Sequence, residues 1–344
     1  MKTIFKTLFP KQLWDRMRNW QRGNLHSERL QQNFAYDKER YEISASSKRD
    51  FARPQHHLAY LIMLYHSLEK GMSMPDPRPG YGRAKADELL KEVVICLELG
   101  VRDSHVNSAL SVLTTYVEFN KTLGVVFSKI EDDIHQIREM YRVELTEVPI
   151  RDTGGGRRLV NQTPVNDQVA KEFEAFVYSR HSIRDFTDRP IAVDSIALAV
   201  HIAQKSPSVC NRQSARVHVF ENNDLGSKIL KLQNGNTGFG HTANKIFIIT
   251  SDLSAFLSIG ERNQSWIDGG LFAMTFIFAL HSQGIGTCCL NWSKEFEDDK
   301  SLRKLADIPE EENIIMLIAA GYPPESAFVP WSHRRPVNDV ISFH

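Results

Sequence analysis

The sequence predicts two structural halves: an all-α region over residues 1–155 and an α+β domain over residues 166–344. Three observations carry this. In the first half, apolar residues recur at helical spacing and no alternating run intervenes. Past residue 166 the texture changes, with short β-rich runs such as Lys245–Ser251 and Ile314–Gly321 alternating with helical stretches. Between the halves, Thr153-Gly154-Gly155-Gly156-Arg157-Arg158 followed by Asn161–Asp167 reads as a hinge or crossing segment. A chain of 344 residues is long enough for two such domains.

The elements follow in order. Residues 1–22 form a basic amphipathic leader. Ile4, Phe5, Leu8, Phe9, Leu13, Met17 and Trp20 recur at helical spacing among six Lys and Arg side chains, and Pro10 divides the stretch into two short pieces. Such a helix fits either peripheral contact with an anionic membrane surface or docking on its own domain or a partner. Leu58, Leu61, Ile62, Leu64, Tyr65 and Leu68 predict a helix over 56–69. Pro75, Pro77, Pro79, Gly80 and Gly82 then break the chain, and helices are expected at 84–99, 104–123 and 130–145. In the second half, helices are expected at 167–179, 193–203, 225–232 and 268–283, and strands at 216–221, 245–251 and 314–321.

The chain has 42 Lys and Arg against 42 Asp and Glu, which argues against a dedicated nucleic-acid partner. The neutral total hides an asymmetry, because residues 1–57 hold 12 basic and 6 acidic side chains. Cys96, Cys210, Cys288 and Cys289 form no C-x-x-C pair and read as reduced thiols. With no membrane-length apolar run and no secretory leader, the expected location is cytoplasmic, with leader-mediated contact at the membrane surface left open.

Some motifs fail on inspection. His66 and Glu69 share a helix face, but a di-iron bundle needs a second Glu-x-x-His helix, so packing is the preferred reading. The triple glycine lacks the preceding strand and following Lys-Ser/Thr of a phosphate loop. Gly238–Ala243 fits G-x-G-x-x-A but precedes a strand instead of following one.

Four others carry chemistry. Arg180-His181-Ser182-Ile183-Arg184 places Arg180, Ser182 and Arg184 on one face of an extended segment, which suits an anion. Ser206-Pro207-Ser208-Val209-Cys210-Asn211-Arg212-Gln213 is a Pro-fixed polar turn able to present backbone and amide groups to a heteroaromatic ring. The glycines of Gly284–Trp292 allow close backbone approach to a ligand. Ala320–Glu325 ends the last strand, and His333-Arg334-Arg335-Pro336 adds a further cationic pair.

In their order and spacing these four motifs resemble the nitroreductase family of FMN-dependent oxidoreductases, over about residues 166–344. The resemblance implies an α+β sandwich with a central antiparallel sheet flanked by helices, and a homodimer with FMN at the subunit interfaces. Carried over by position, it implies that Arg180, His181, Ser182 and Arg184 hold the FMN phosphate and ribityl chain, with Arg334 closing on the phosphate. Pro207, Ser208 and Asn211 would approach the flavin from the other subunit, with Gln213 orienting their loop. Leu290 and Asn291 would offer backbone N–H groups, and Asn236 a flavin-ring or nicotinamide contact. Two departures stand out: Ser214-Ala215 replaces the family's Pro-Trp, and Asn291-Trp292 replaces Gly-Gly or Glu-Gly, so that Trp292 either covers the flavin or packs. The first half, with His66–Gly71 and Pro77–Gly82, is similar to extended members associated with surface-polysaccharide biosynthesis.

The expected function is an oxidoreductase passing electrons from NAD(P)H through FMN to a small acceptor by a ping-pong mechanism, with no catalytic side chain and no metal. Two alternatives stand beside it. One is a flavin-dependent dehydrogenase or oxidase for a specific biosynthetic intermediate; the other is a non-catalytic flavin-fold scaffold at a membrane surface or in a complex.

Overall fold

The computed structural model describes residues 11–47, 50–142, 145, 154–159 and 166–344. Side chains are described from residue 23, so the two faces of the leader lie outside the described residues. Helix α1 runs from Lys11 to Ser44, longer than the leader alone suggested. Helices α2 (Pro54–Met72), α3 (Arg83–Glu98), α4 (Ser104–Thr122) and α5 (Ser128–Met140) follow. Pro54 starts α2, where its missing N–H costs nothing, and the Asp103 carboxylate caps α4 by accepting the His105 N–H at 2.9 Å. The four helices close on one apolar core that includes Leu61, Leu68, Leu89, Leu113 and Ile130, with Tyr116 stacked on Phe127 at 5.5 Å.

Helices α6 (Asp167–Ser179), α7 (Val193–Ala203), α8 (Asp224–Leu232), α9 (Gln264–His281) and α10 (Phe296–Ala306) surround a sheet of β1 (Ala215–Glu221), β2 (Lys245–Asp252), β3 (Gly286–Asn291) and β4 (Glu312–Gly321). The strand order is β1-β2-β4-β3 and every pairing is antiparallel. The period of two along β2 sorts its residues between layers. Ile246 and Ile248 pack with α8 and α10, through Ile229 and Leu302. Phe247 and Ile249 face α7 and α9, where Phe247 meets Phe276 edge-on at 5.1 Å. Both faces are covered, giving the α+β sandwich with a central antiparallel sheet.

Strand β3 and helix α10 were not anticipated. The Gly-Thr-Cys-Cys-Leu-Asn run is too short, and too poor in large apolar side chains, to announce a strand. Trp292 packs beside the core and donates its indole N–H to Asp299 Oδ1 at 2.9 Å.

The glycine segment packs closely on α4. A Cβ on Gly155 would fall 2.8 Å from the Ser108 carbonyl oxygen, and the Gly156 N–H donates to Glu69 Oε1 at 3.2 Å. Glu69 also meets His66 Nδ1 at 3.4 Å, and no potential metal cluster occurs among the described residues.

The two halves meet along a polar seam. The buried Arg40 guanidinium donates to Asn313 Oδ1 and to the carbonyl oxygens of Glu310 and Glu312, at 2.7–3.1 Å. Tyr36 Oη donates to Asp299 Oδ2 at 2.8 Å, and Tyr41 Oη to the Ser258 carbonyl oxygen at 2.6 Å. No helix among the described residues is long and apolar enough to cross a membrane.

Candidate functional site

The free edge of β3 organises the site. The segment after α6 runs beside it: Ser182 bridges Thr287, and the Ile183 N–H donates to the Thr287 carbonyl oxygen at 3.0 Å. Gly286 is needed for this approach, because a Cβ there would lie 2.9 Å from the Ile183 side chain. The result is a cleft of about 640 Å³ lined by Arg180, His181, Ser182, Arg184, Trp331 and Arg334. Arg180 and Arg334, 154 positions apart in sequence, thus face one space.

Its electrostatics are one-sided. Among the described residues, no carboxylate forms an ion pair with Arg180, Arg184 or Arg334. Arg184 lies over the Phe239 ring at 5.9 Å, a stacking that holds the guanidinium without neutralising it. His281, hydrogen-bonded to Ser179 Oγ at 2.8 Å, has its pKa pushed down by burial and by the neighbouring Arg180 and His181. A cationic, partly enclosed cleft with a serine hydroxyl has the donor chemistry for a phosphate or similar anion.

Farther along β3 lies an amide network. Gln233 Nε2 donates to the Asn291 carbonyl oxygen at 3.0 Å, and Asn236 Nδ2 donates to the carbonyl oxygens of Leu230 and Gln233, both at 2.7 Å. Asn236 and Asn291 are therefore linked through Gln233, a residue that sequence reasoning missed. Its glutamine lies at the end of a helical run with no motif of its own. Leu290 is buried and the Asn291 residue is exposed, so the backbone at the end of β3 borders solvent.

The polar turn lies elsewhere. Pro207, Ser208 and Gln213 line a second cavity of about 570 Å³, whose other wall includes Asp103 and His105 of the helical half. Asn211 is exposed in the same turn. Within one chain, the structure brings Arg180, His181, Ser182, Arg184 and Arg334 together and joins Asn236 to Asn291. It leaves Pro207, Ser208, Asn211 and Gln213 in a separate place.

A four-stranded antiparallel sheet covered on both faces, with a cationic cleft at its free edge, defines the class: an α+β sandwich domain carrying a helical unit. The particular family follows from comparison. The model of the nitroreductase family matches residues 177–236 and 228–322. An NADH dehydrogenase/NAD(P)H nitroreductase of Archaeoglobus fulgidus is 27% identical over 153 residues, covering 43% of this chain and 83% of that protein. The 4-nitrobenzoate reductase of Pseudomonas putida is 23% identical over 213 residues, covering 47% and 89%. A solved Desulfovibrio desulfuricans nitroreductase in complex with FMN is 20% identical, covering 54% of this chain and 98% of its own, with a TM-score of 0.44. The match to the nitroreductase family thus lies within the second half of the chain, over residues 177–322.

Proposed function

We propose that the protein is an FMN-dependent oxidoreductase that carries electrons from NAD(P)H to a small nitro, quinone or enone-type acceptor, with reductant and acceptor taking turns at one site. The observation that carries this is the set of three arginines, with no carboxylate partner among the described residues, and one serine around the cleft beside β3. That donor set fits a phosphate monoester. Guanidinium forks match its oxygens in pairs, and the Ser182 hydroxyl adds a single donor. Arg180, Ser182, Arg184 and Arg334 would hold the phosphate and ribityl chain, with His181 beside them, and the backbone at Leu290 and Asn291 would face the ring. FMN, when bound, supplies the two-electron chemistry that no side chain here provides. The protein contributes position, a cationic field and exclusion of water.

A second copy of the chain completes this reading. Pro207, Ser208 and Asn211 lie away from the arginines of their own chain, so they would meet the flavin of a partner, with Gln213 setting their loop. Large apolar side chains support such an interface: Trp266, Ile267, Leu271 and Met274 are exposed on α9, and Phe328, Trp331 and Phe343 are almost wholly exposed beyond β4.

The absorption spectrum of the purified protein tests the proposal. A flavin band, or one gained on reconstitution with FMN, is expected; a colourless protein that takes up no FMN sinks it. The cavity shared by the turn and the helical half favours one second reading, a flavin-dependent dehydrogenase or oxidase for a specific intermediate. Slow turnover with both NADH and NADPH, using quinone and nitroaromatic acceptors, would point there.

A further inference from the structure

The turn from Ser206 to Ser214 concentrates backbone strain. Cys210, Asn211 and Gln213 have φ of 48°, 55° and 50°, in the left-handed region where a Cβ crowds the neighbouring carbonyl oxygen. Only two other described residues besides glycine share that property. Three such residues within four positions persist only where the surroundings over-determine the conformation.

Arg212, between them, supplies that constraint. Its side chain is 1% exposed. Nε donates to the Val209 carbonyl oxygen at 3.2 Å, within the turn itself, and Nη1 donates to the Ala255 carbonyl oxygen at 2.7 Å. Both Nη groups also reach the Glu261 carboxylate, whose Oε2 accepts the Leu257 N–H at 2.7 Å. Asp268 fixes the start of the turn by accepting the Val209 N–H at 3.1 Å. The guanidinium fork therefore rivets the turn to residues 253–261, using donors that a lysine does not have.

Residues 253–261 are themselves held by the helical half. The Ser258 carbonyl oxygen accepts the Tyr41 hydroxyl, and the Phe256 carbonyl oxygen accepts the Ser46 N–H at 3.1 Å. Leu253, Phe256 and Ala45 form a small core to which Tyr41 and Val209 add their side chains, and α2 packs against the turn. Polar and apolar contacts thus run without a gap from α1 to the strained residues.

We propose that Arg212 and Glu261 are positioning residues that set the Pro207–Asn211 surface for the flavin, and that the N-terminal helical half completes this brace through Tyr41 and residues 253–258. The proposal rests on the FMN reading above for what the turn faces. On this reading the helical half holds a strained backbone conformation in place before any ligand arrives.

Cys210 lies in the turn and is partly buried, so its thiol reports opening without any need for flavin. The experiment uses the full chain. Thiol labelling is followed by peptide mass spectrometry, which reads Cys210 separately from the exposed Cys289, and FMN affinity is measured by fluorescence titration. Arg212→Met is expected to speed Cys210 labelling and weaken FMN binding, each by about tenfold or more, and Arg212→Lys is expected not to restore either. Tyr41→Phe is expected to speed labelling about two- to fivefold, a smaller effect because one hydrogen bond is lost. Should Arg212→Met fail to fold, Glu261→Gln, which keeps the bonds to both carbonyl oxygens, is expected to speed labelling about threefold or more. Unchanged Cys210 labelling in a folded Arg212 or Glu261 variant overturns the brace. Faster labelling with unchanged FMN affinity overturns its coupling to the site, and unchanged labelling in Tyr41→Phe overturns the share given to the helical half. Wild-type protein that binds no FMN overturns the functional reading instead, and the labelling rates then judge the brace separately.

Discussion

The helical half and the sheet domain treat their irregular features differently. In the helical bundle, polar and ionisable groups serve packing: Glu69, singled out in the sequence, binds the Gly156 amide, and Asp103 caps α4. In the sheet domain, three arginines of one cleft form no ion pair among the described residues, three residues of a single turn lie in the left-handed region, and large aromatic side chains face solvent. Costs that a fold normally avoids are gathered near one sheet edge and one turn. The lesson is that chemistry is to be sought where local preferences are broken.

Substitutions can break or sharpen this contrast. The largest effect is expected at Phe276, fully buried against Phe247, where Phe276→Ala should cost about 3–5 kcal/mol of stability in denaturant unfolding. Asp299→Asn should cost about 3 kcal/mol, because it leaves the buried Arg303 without its ion pair and weakens the bonds from Tyr36 and Trp292. Asp299 also gives a pH signature. Burial pushes its pKa up, but Arg303 and the three hydrogen bonds more than offset this, so its carboxyl is held below the ordinary range. Its stabilisation is complete above the unfolded-state pKa of about 3.9 and is lost as pH falls through the lower folded value. Acid unfolding should therefore flatten in Asp299→Asn relative to wild type.

Arg184→Ala should leave stability within about 0.5 kcal/mol, as a largely exposed change, yet weaken FMN binding by about 1.5–3 kcal/mol. Unchanged flavin retention would show that the phosphate lies elsewhere. A loss of folding stability as large as that of Phe276→Ala would erase the contrast between a site residue and a core residue.

Much of this was legible in the sequence because it rests on local pattern. The helical spacing of Leu58 to Leu68, the Pro and Gly breaks from Pro75 to Gly82 and the Lys245–Ser251 run each follow from a few neighbouring residues. The cleft was legible through Arg180, Ser182, Arg184 and Arg334, whose types suit an anion wherever the chain brings them together. Strand β3 was not, since the burial of neighbouring Thr287 and Cys288 on opposite faces is explained only by β4 and the segment at Ser182. Gln233, Arg212 and Glu261 were also hidden. Their partners are backbone carbonyls and side chains brought close by folding, and no spacing in the sequence announces such a bond.

The strand order β1-β2-β4-β3 sets a pace. Strand β2 must find β4 some sixty residues downstream, and β3 can pair only once β4 has arrived. The helical bundle needs far nearer neighbours. Loop closure slows non-local pairing, so the bundle should form early and the sheet late. Emerging before the sheet domain, the bundle should already offer a formed surface when residues 206–261 are made. The strained turn would then be cast against it, late in the order in which the chain acquires its structure.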